Sequence, residues 1–335
     1  MLVYFWAMEP NLYQPFADMS FDNSHCFLSG EKLGSTSEKM NVFGDWLIKR
    51  YQLNERPFKM LDESMLSYAD IDVPCSAVVK ETFEDLEKAI ENAFLEGYEK
   101  VCQLDELKLF QWTAKTVYGI IFREIQSAIV SQSRNGEGFH MSQGLVHKFG
   151  MLHTMLQSVI KPIHFDGFKP WSIFICPVDN LENEFSYRDE INTLTFSLRM
   201  NDFGIILCLQ DNGVNKVYHE EVWNKIEGKK LHPIQFEELC GKIYYSAYLF
   251  NRLPEYHIMP TPDGVYLDAS PLRGMNSKPL FDDWQNKTYG QVLENFWKKW
   301  GFLLLEIIKN PEKPISYLFD DNGDLVNATS INLER

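Results

Sequence analysis

Positive charge is scarce in this chain. Its 335 residues hold 32 Lys and Arg against 47 Asp and Glu, a net of −15, which disfavours a broad basic face that grips nucleic acid through its phosphates. Long apolar runs are missing as well. The longest near the C-terminus, Gly301-Phe-Leu-Leu-Leu305, stops at Glu306, far short of the ~20 residues a bilayer-spanning helix needs, so no membrane partner is expected. The opening decapeptide has no Lys or Arg before its short apolar stretch, unlike the charged start of a secretory signal. Cys26, Cys75, Cys102, Cys176, Cys208 and Cys240 are scattered without close pairs, the pattern of reduced, partly buried thiols rather than a disulfide framework. The expected compartment is the cytoplasm.

Several common catalytic signatures are also missing. No glycine run is followed by Gly-Lys-Ser/Thr at P-loop spacing, and no Gly-x-Ser-x-Gly elbow occurs. Asp321-Asn-Gly-Asp324 opens like a calcium loop but has no closing glutamate in the required form, so it is expected to be a turn. What the chain does have is apolar and aromatic material, at 45% and 14%. That is enough for a sizeable core without disulfides or a metal.

Periodicity predicts an α+β protein, helical first and mixed second, with a soft boundary near residue 162 and hence domains 1–162 and 163–335. Ser37 is expected to cap a helix reaching Leu53. Short β segments follow at 58–61 and 68–73, then helices at 76–95, 104–130 and 140–160. Beyond Pro162 come β-rich runs at 171–177, 191–199 and 204–210, the last ending in the turn signal Asp211-Asn-Gly213. His232-Pro233 opens a helix to Leu253, with Glu237 and Glu238 expected on its outside; strands at 256–259 and 265–267 and a helix at 288–308 complete the chain.

One family resemblance emerges, over about residues 24–98. Cys26-Phe-Leu-Ser29-Gly30 stands where HNH-type nucleases carry Cys-x-x-Cys-Gly. Glu38-Lys39-Met-Asn-Val-Phe43-Gly44-Asp-Trp46-Leu47 is similar to their Glu-His-x-Phe-Pro-x-Trp-Leu. Val73-Pro74-Cys75-Ser76-Ala-Val-Val79-Lys80 is similar to their Val-Pro-Cys-Cys-x-x-Cys-Asn. The segments Phe83-Glu-Asp-Leu86-Glu87 and Trp112-Thr-Ala-Lys115-Thr-Val-Tyr118-Gly119 resemble the helices that come after. The resemblance implies a treble-clef ββα element in a helical N-terminal half, followed by a mixed α/β C-terminal half.

Its chemistry is not retained. In the family four thiolates hold a structural zinc, whereas here Cys26 and Cys75 keep matching places, Ser29 occupies a third position and Val79 lies near the fourth. The general base of the family is the His of Glu-His; Lys39 stands there, beside Glu38, and an ordinary lysine is protonated at pH 7 and takes no proton. No cofactor or metal is therefore expected. The reading is a non-catalytic binding or scaffold module with a protein partner, of a kind the resemblance places in bacterial defence or mobile elements. Two alternatives stay open: a divalent-metal nuclease with a rebuilt site, for which His25 and Asp45 are the nearby donors, and nucleic-acid binding without cleavage.

Charge points the same way. Residues 1–100 hold 9 basic and 18 acidic side chains, a net of −9. The acids of the helix after Cys75, Glu84, Glu87 and Glu91 among them, form either a solvated face or a docking surface for a basic partner. Lys49, Arg50, Arg56 and Lys59 are the one basic cluster of this half. Elsewhere His140, His147 and His153 share an expected helix at a spacing too wide for one metal, and His164-Phe-Asp166 is expected to be a turn. His232, at a helix start, is a candidate for a perturbed histidine.

Overall fold

The structure, a computed structural model, describes residues 12–34, 39–134, 136, 138–180, 184–272 and 278–333. Along the chain run β1 (Lys39–Asn41), α1 (Asp45–Tyr51), β2 (Pro57–Lys59), β3 (Met65–Ser67), β4 (Asp72–Pro74), α2 (Ala77–Glu96), α3 (Tyr98–Val101), α4 (Glu106–Arg134), α5 (Gln143–Leu156) and β5 (Ile163–Phe165). Then follow β6 (Ser172–Pro177), β7 (Ser186–Glu190), β8 (Thr195–Met200), β9 (Phe203–Cys208), α6 (Val214–Tyr218), α7 (Glu220–Ile226) and α8 (Pro233–Leu249). Last come β10 (Tyr256–Thr261), β11 (Gly264–Ala269), α9 (Asn286–Trp297) and α10 (Leu304–Ile307). The class is α+β, as expected. Among the described residues no helix is long and apolar enough to cross a membrane.

The contacts divide the chain into two compact units. One holds residues 1–92, 105–168 and 255–270; the other holds 93–104, 169–254 and 271–335. Beside the single division expected near residue 162, the units thus exchange two further pieces of chain, the 93–104 segment and the β10–β11 hairpin.

The first unit is organised by α4. Every residue from Leu109 to Phe122 is buried, including Gln111, Thr113, Lys115 and Thr116. A helix enclosed on all sides belongs in the middle of a domain. Around it lie α2, α5 and three small sheets: β1 with β4, β2 with β3, and β10–β11–β5. β5 runs parallel to β11, so His164 sits in a strand with its ring 4.8 Å from that of Tyr266, rather than in a turn.

The helix expected to Leu253 ends at Leu249, and the one expected over 288–308 is divided into Asn286–Trp297 and Leu304–Ile307, with Gly301 left-handed between them. Two helix starts also differ, each for a local reason. The segment expected to begin a helix at Ser37 instead puts Lys39–Asn41 into β1, paired antiparallel with Asp72–Pro74; Ser37 lies outside the described residues. Non-local pairing overrides propensity, and Gly44, extended at φ −60° and ψ 137°, starts α1. The helix expected from residue 140 begins after Ser142, whose Oγ accepts from Leu145 N–H. His140 therefore stands outside it.

The second unit is built on an antiparallel sheet in the order β6-β9-β8-β7. The β run expected at 191–199 is divided. Leu194, at φ +54°, belongs to the turn before Thr195, and 186–190 supplies β7 instead. Phe196, Leu198 and Met200 alternate with Thr195, Ser197 and Arg199, all six buried. Helix α8 packs on β8 and β9, and α9 on α8. Glu237 and Glu238, expected on the outside of α8, are buried. Glu238 accepts from Ser316 Oγ and from the backbone N–H groups of Tyr317 and Leu318 at 2.7–3.0 Å, giving otherwise orphaned donors a charged acceptor.

Candidate functional site

Two places carry the chemistry-bearing side chains, one in each unit. In the first unit the Cys26 turn closes through Gly30 N–H to Cys26 C=O at 3.0 Å, and Cys26 N–H reaches Glu31 C=O at 2.8 Å. Gly30 has φ +69°, and a Cβ there would run into the Tyr13 ring, so glycine is required on both counts. Phe27 N–H bonds to Pro74 C=O at 2.8 Å, which brings Cys75 against the turn.

Cys26 and Cys75 are both fully buried, and Cys75 Sγ donates to Ser76 C=O at 3.5 Å. The neighbouring Cys75 thiol, and then Ser29 and the Ser76 N–H, push the Cys26 pKa below the ordinary thiol value against burial, while Cys26 and burial push the Cys75 thiol up. Val79 is buried on α2 and offers no donor atom. The set is two sulfurs and one hydroxyl, which does not fit a tetrahedral zinc. Among the described residues no three His, Cys, Asp or Glu side chains are grouped to hold a metal ion.

Lys39 Nζ lies 3.1 Å from both oxygens of Asp72, which also faces Arg123 at 3.8 Å. His25 is engaged in its own loop, with Nδ1 3.0 Å from Ser24 Oγ and 3.3 Å from Asp22. Glu38 lies outside the described residues. The basic cluster is on the surface: Lys49, Arg50, Arg56 and Lys59 are all exposed, with Arg50 over the Tyr51 ring and Lys59 3.3 Å from Glu63. Of the acids on α2, Glu84 is exposed and Glu91 half-buried.

Glu87 turns inward. One of its oxygens accepts from Trp46 Nε1 at 2.8 Å and the other from Trp112 Nε1 at 3.1 Å, and Lys115, 2% exposed, pairs with it. The residues that carried the family resemblance in three separate segments therefore meet at one carboxylate. A Cβ at position 44 would overlap Glu87 Oε2, so glycine here makes room for the carboxylate. Sequence reasoning placed Glu87 on an outer acidic face. The missed signal is its spacing, four residues after Phe83 and three before Ile90, both buried on the inner stripe of α2.

His153 completes this core. Its Nε2 donates to Phe27 C=O at 3.0 Å and its Nδ1 faces Gln157 Nε2 at 3.4 Å. Burial lowers its pKa to about 4, so it is neutral at pH 7 and ties α5 to the Cys26 turn. His140 and His147 are exposed and do not join it.

The second place is a cavity of about 420 Å³ in the other unit, bordered by Arg199, Glu184, Asn180, His232, Lys299 and Trp300. Arg199, only 1% exposed, donates from Nη1 to Asn180 Oδ1 at 2.7 Å and from Nη2 to Glu184 Oε2 at 3.0 Å. Lys299 pairs with that same Glu184 oxygen. His232 caps α8: its Nδ1 accepts from Ile234 N–H at 3.2 Å, while Gln235 Oε1 accepts from His232 N–H at 2.8 Å. Sequence reasoning missed Arg199; its clue is the polar alternation Thr195, Ser197, Arg199 along an otherwise apolar strand.

A buried chain of hydrogen bonds in the same unit links Ser172, Asp211, Asn215, Ser246 and His219, with Ser246 Oγ 2.8 Å from His219 Nε2. Each member is at most 5% exposed. A substrate has no access to it, and its role is to join β6, α6 and α8. No protein-family model, curated protein or solved structure matches the chain.

Proposed function

We propose that this chain is a degenerate HNH-like protein whose treble-clef front acts as a binding or scaffold module rather than as a nuclease, in a bacterial defence or mobile-element setting. The observation that carries this reading is the state of Cys26. It lies buried beside Cys75 in a turn closed by its own backbone, Gly30 N–H to Cys26 C=O at 3.0 Å and Phe27 N–H to Pro74 C=O at 2.8 Å, with Ser29 and Val79 where the family has its other thiolates. The order of parts supports it too: a Cys26 turn, the β1–β4 pair and then α2. So does Lys39, whose Nζ is paired with Asp72 at 3.1 Å.

The test is elemental analysis of the purified, untagged chain, with a cleavage assay on double- and single-stranded DNA in Mg²⁺ and Mn²⁺. The expected result is no stoichiometric zinc and no cleavage. Stoichiometric zinc lost on Cys26→Ser, or divalent-dependent cleavage lost on Lys39→Ala, overturns the reading.

A further inference from the structure

We infer that the cavity of the second unit is a binding site for a small aromatic anion, a ring carrying one carboxylate or phosphate group. Its volume, about 420 Å³, falls in the range of small-ligand pockets, roughly 300–1,000 Å³. The inference does not rest on the HNH-like reading, since every residue used below belongs to the other unit.

The anion seat is defined by what occupies it. A buried guanidinium and an ammonium converge on a single carboxylate oxygen, Glu184 Oε2, which is the geometry in which charge-assisted hydrogen bonds hold an anion. Glu184 is 31% exposed where Arg199 is 1% exposed, so the carboxylate can move out to water while the guanidinium stays. Asn180 keeps Nη1 of Arg199 paired meanwhile. Glu184 is thus the chain's own occupant of a seat that an incoming anion can take.

The surroundings favour negative charge. Asp179, also on the cavity wall, is matched by Lys230 at 3.0 Å. Behind Arg199, Glu237 is faced by Arg188 at 3.5 Å as well as by Arg199 at 3.9 Å. Arg199, Lys299, Lys230 and Arg188 against Asp179, Glu184 and Glu237 leave one positive charge in excess, four against three, within a chain of net −15. The N-terminus of the 17-residue α8 adds its positive end. His232 adds a neutral donor: Nδ1 accepts from the backbone, so the ring proton is on Nε2, and burial holds the pKa below its ordinary value.

The ring has a place too. Trp300 borders the cavity with its indole beside Lys299 Nζ, 5.6 Å from the ring centroid, and Ile331 and Leu333 supply apolar wall. A flat ring laid on Trp300 with its charged group between Lys299 and Arg199 uses each of these surfaces.

The test is calorimetric titration of the full chain with phenyl phosphate, benzoate and neutral benzamide. The expected result is one site per chain for phenyl phosphate or benzoate, with benzamide at least tenfold weaker. Lys299→Met should weaken anion binding tenfold or more, and Glu184→Gln, which empties the seat of charge, should tighten it at least threefold. Trp300→Leu should weaken phenyl phosphate but leave inorganic phosphate unchanged. Circular dichroism of each variant establishes that it is folded. Failure of both anions to bind wild type and Glu184→Gln, equal binding of benzamide, or indifference to Lys299→Met overturns the inference.

Discussion

Among the described residues, each unit encloses one Lys or Arg side chain almost completely, and the two are finished in opposite ways. Lys115 is met by Glu87, whose two oxygens also accept from two indole N–H groups. Arg199 is met by Glu184, which is a third exposed, is shared with Lys299 and borders open space. A saturated, enclosed carboxylate is a structural tie. A replaceable one at the mouth of a cavity marks a place where something else can bind. Burial of charge alone does not distinguish the two; the exposure of the counter-ion does.

The largest expected effect tests that difference directly. Glu87→Ala leaves the Lys115 ammonium buried without its partner and should cost about 3–5 kcal/mol in denaturant unfolding followed by tryptophan fluorescence. Glu184→Ala should cost less, about 1–2 kcal/mol, because Glu184 is itself a third exposed and the buried Arg199 keeps Asn180 and Glu237. Equal losses would erase the distinction.

Acid should strain both units through one buried histidine each. His153 and His219 have their pKa lowered by burial from 6.5 to about 4. Between those values the unfolded chain takes up a proton that the folded one refuses. Stability is therefore full above pH 6.5 and is lost as pH falls toward 4, by about 3 kcal/mol per histidine. Unfolding midpoints measured from pH 7.5 to 4 check this, and His153→Gln should flatten the first unit's share of the loss. A flat profile in the wild type contradicts the neutral, buried assignment.

A smaller effect belongs to the second unit's other enclosed carboxylate. Glu238→Ala leaves Tyr317 and Leu318 N–H without their acceptor and should cost about 2 kcal/mol, read as protection lost at those two amides in hydrogen exchange. Smallest of all, Lys39→Ala removes a half-exposed pair and should change stability by less than about 1 kcal/mol. A larger loss would mean that the Lys39–Asp72–Arg123 group is part of the fold's frame.

The α+β class, most elements and the turn at Asn212-Gly213 were legible in the sequence because they follow from local periodicity and from residues that tolerate positive φ. The strand at Lys39–Asn41 was not, since three residues become a strand only when Asp72–Pro74 lies beside them. The inward turn of Glu87, Glu237 and Glu238 was also hidden. A carboxylate at a helix position looks solvated until its donors arrive from segments 25 to 80 residues away. For the candidate sites, Cys26, Ser29 and Cys75 could be picked out along the chain, but not that Phe27 N–H reaches Pro74 C=O and so brings the two cysteines together.

What the sequence by itself determined is set by chain-local rules: an acidic chain without a bilayer-length apolar run, and an α+β order of elements. Tertiary structure alone decided which charged groups are enclosed and which of their partners can leave. The physical reason is that desolvation depends on everything packed around a group. The same carboxylate is a solvated surface acid, the centre of a closed clamp or the occupant of an anion seat, according to neighbours that sequence distance does not reveal.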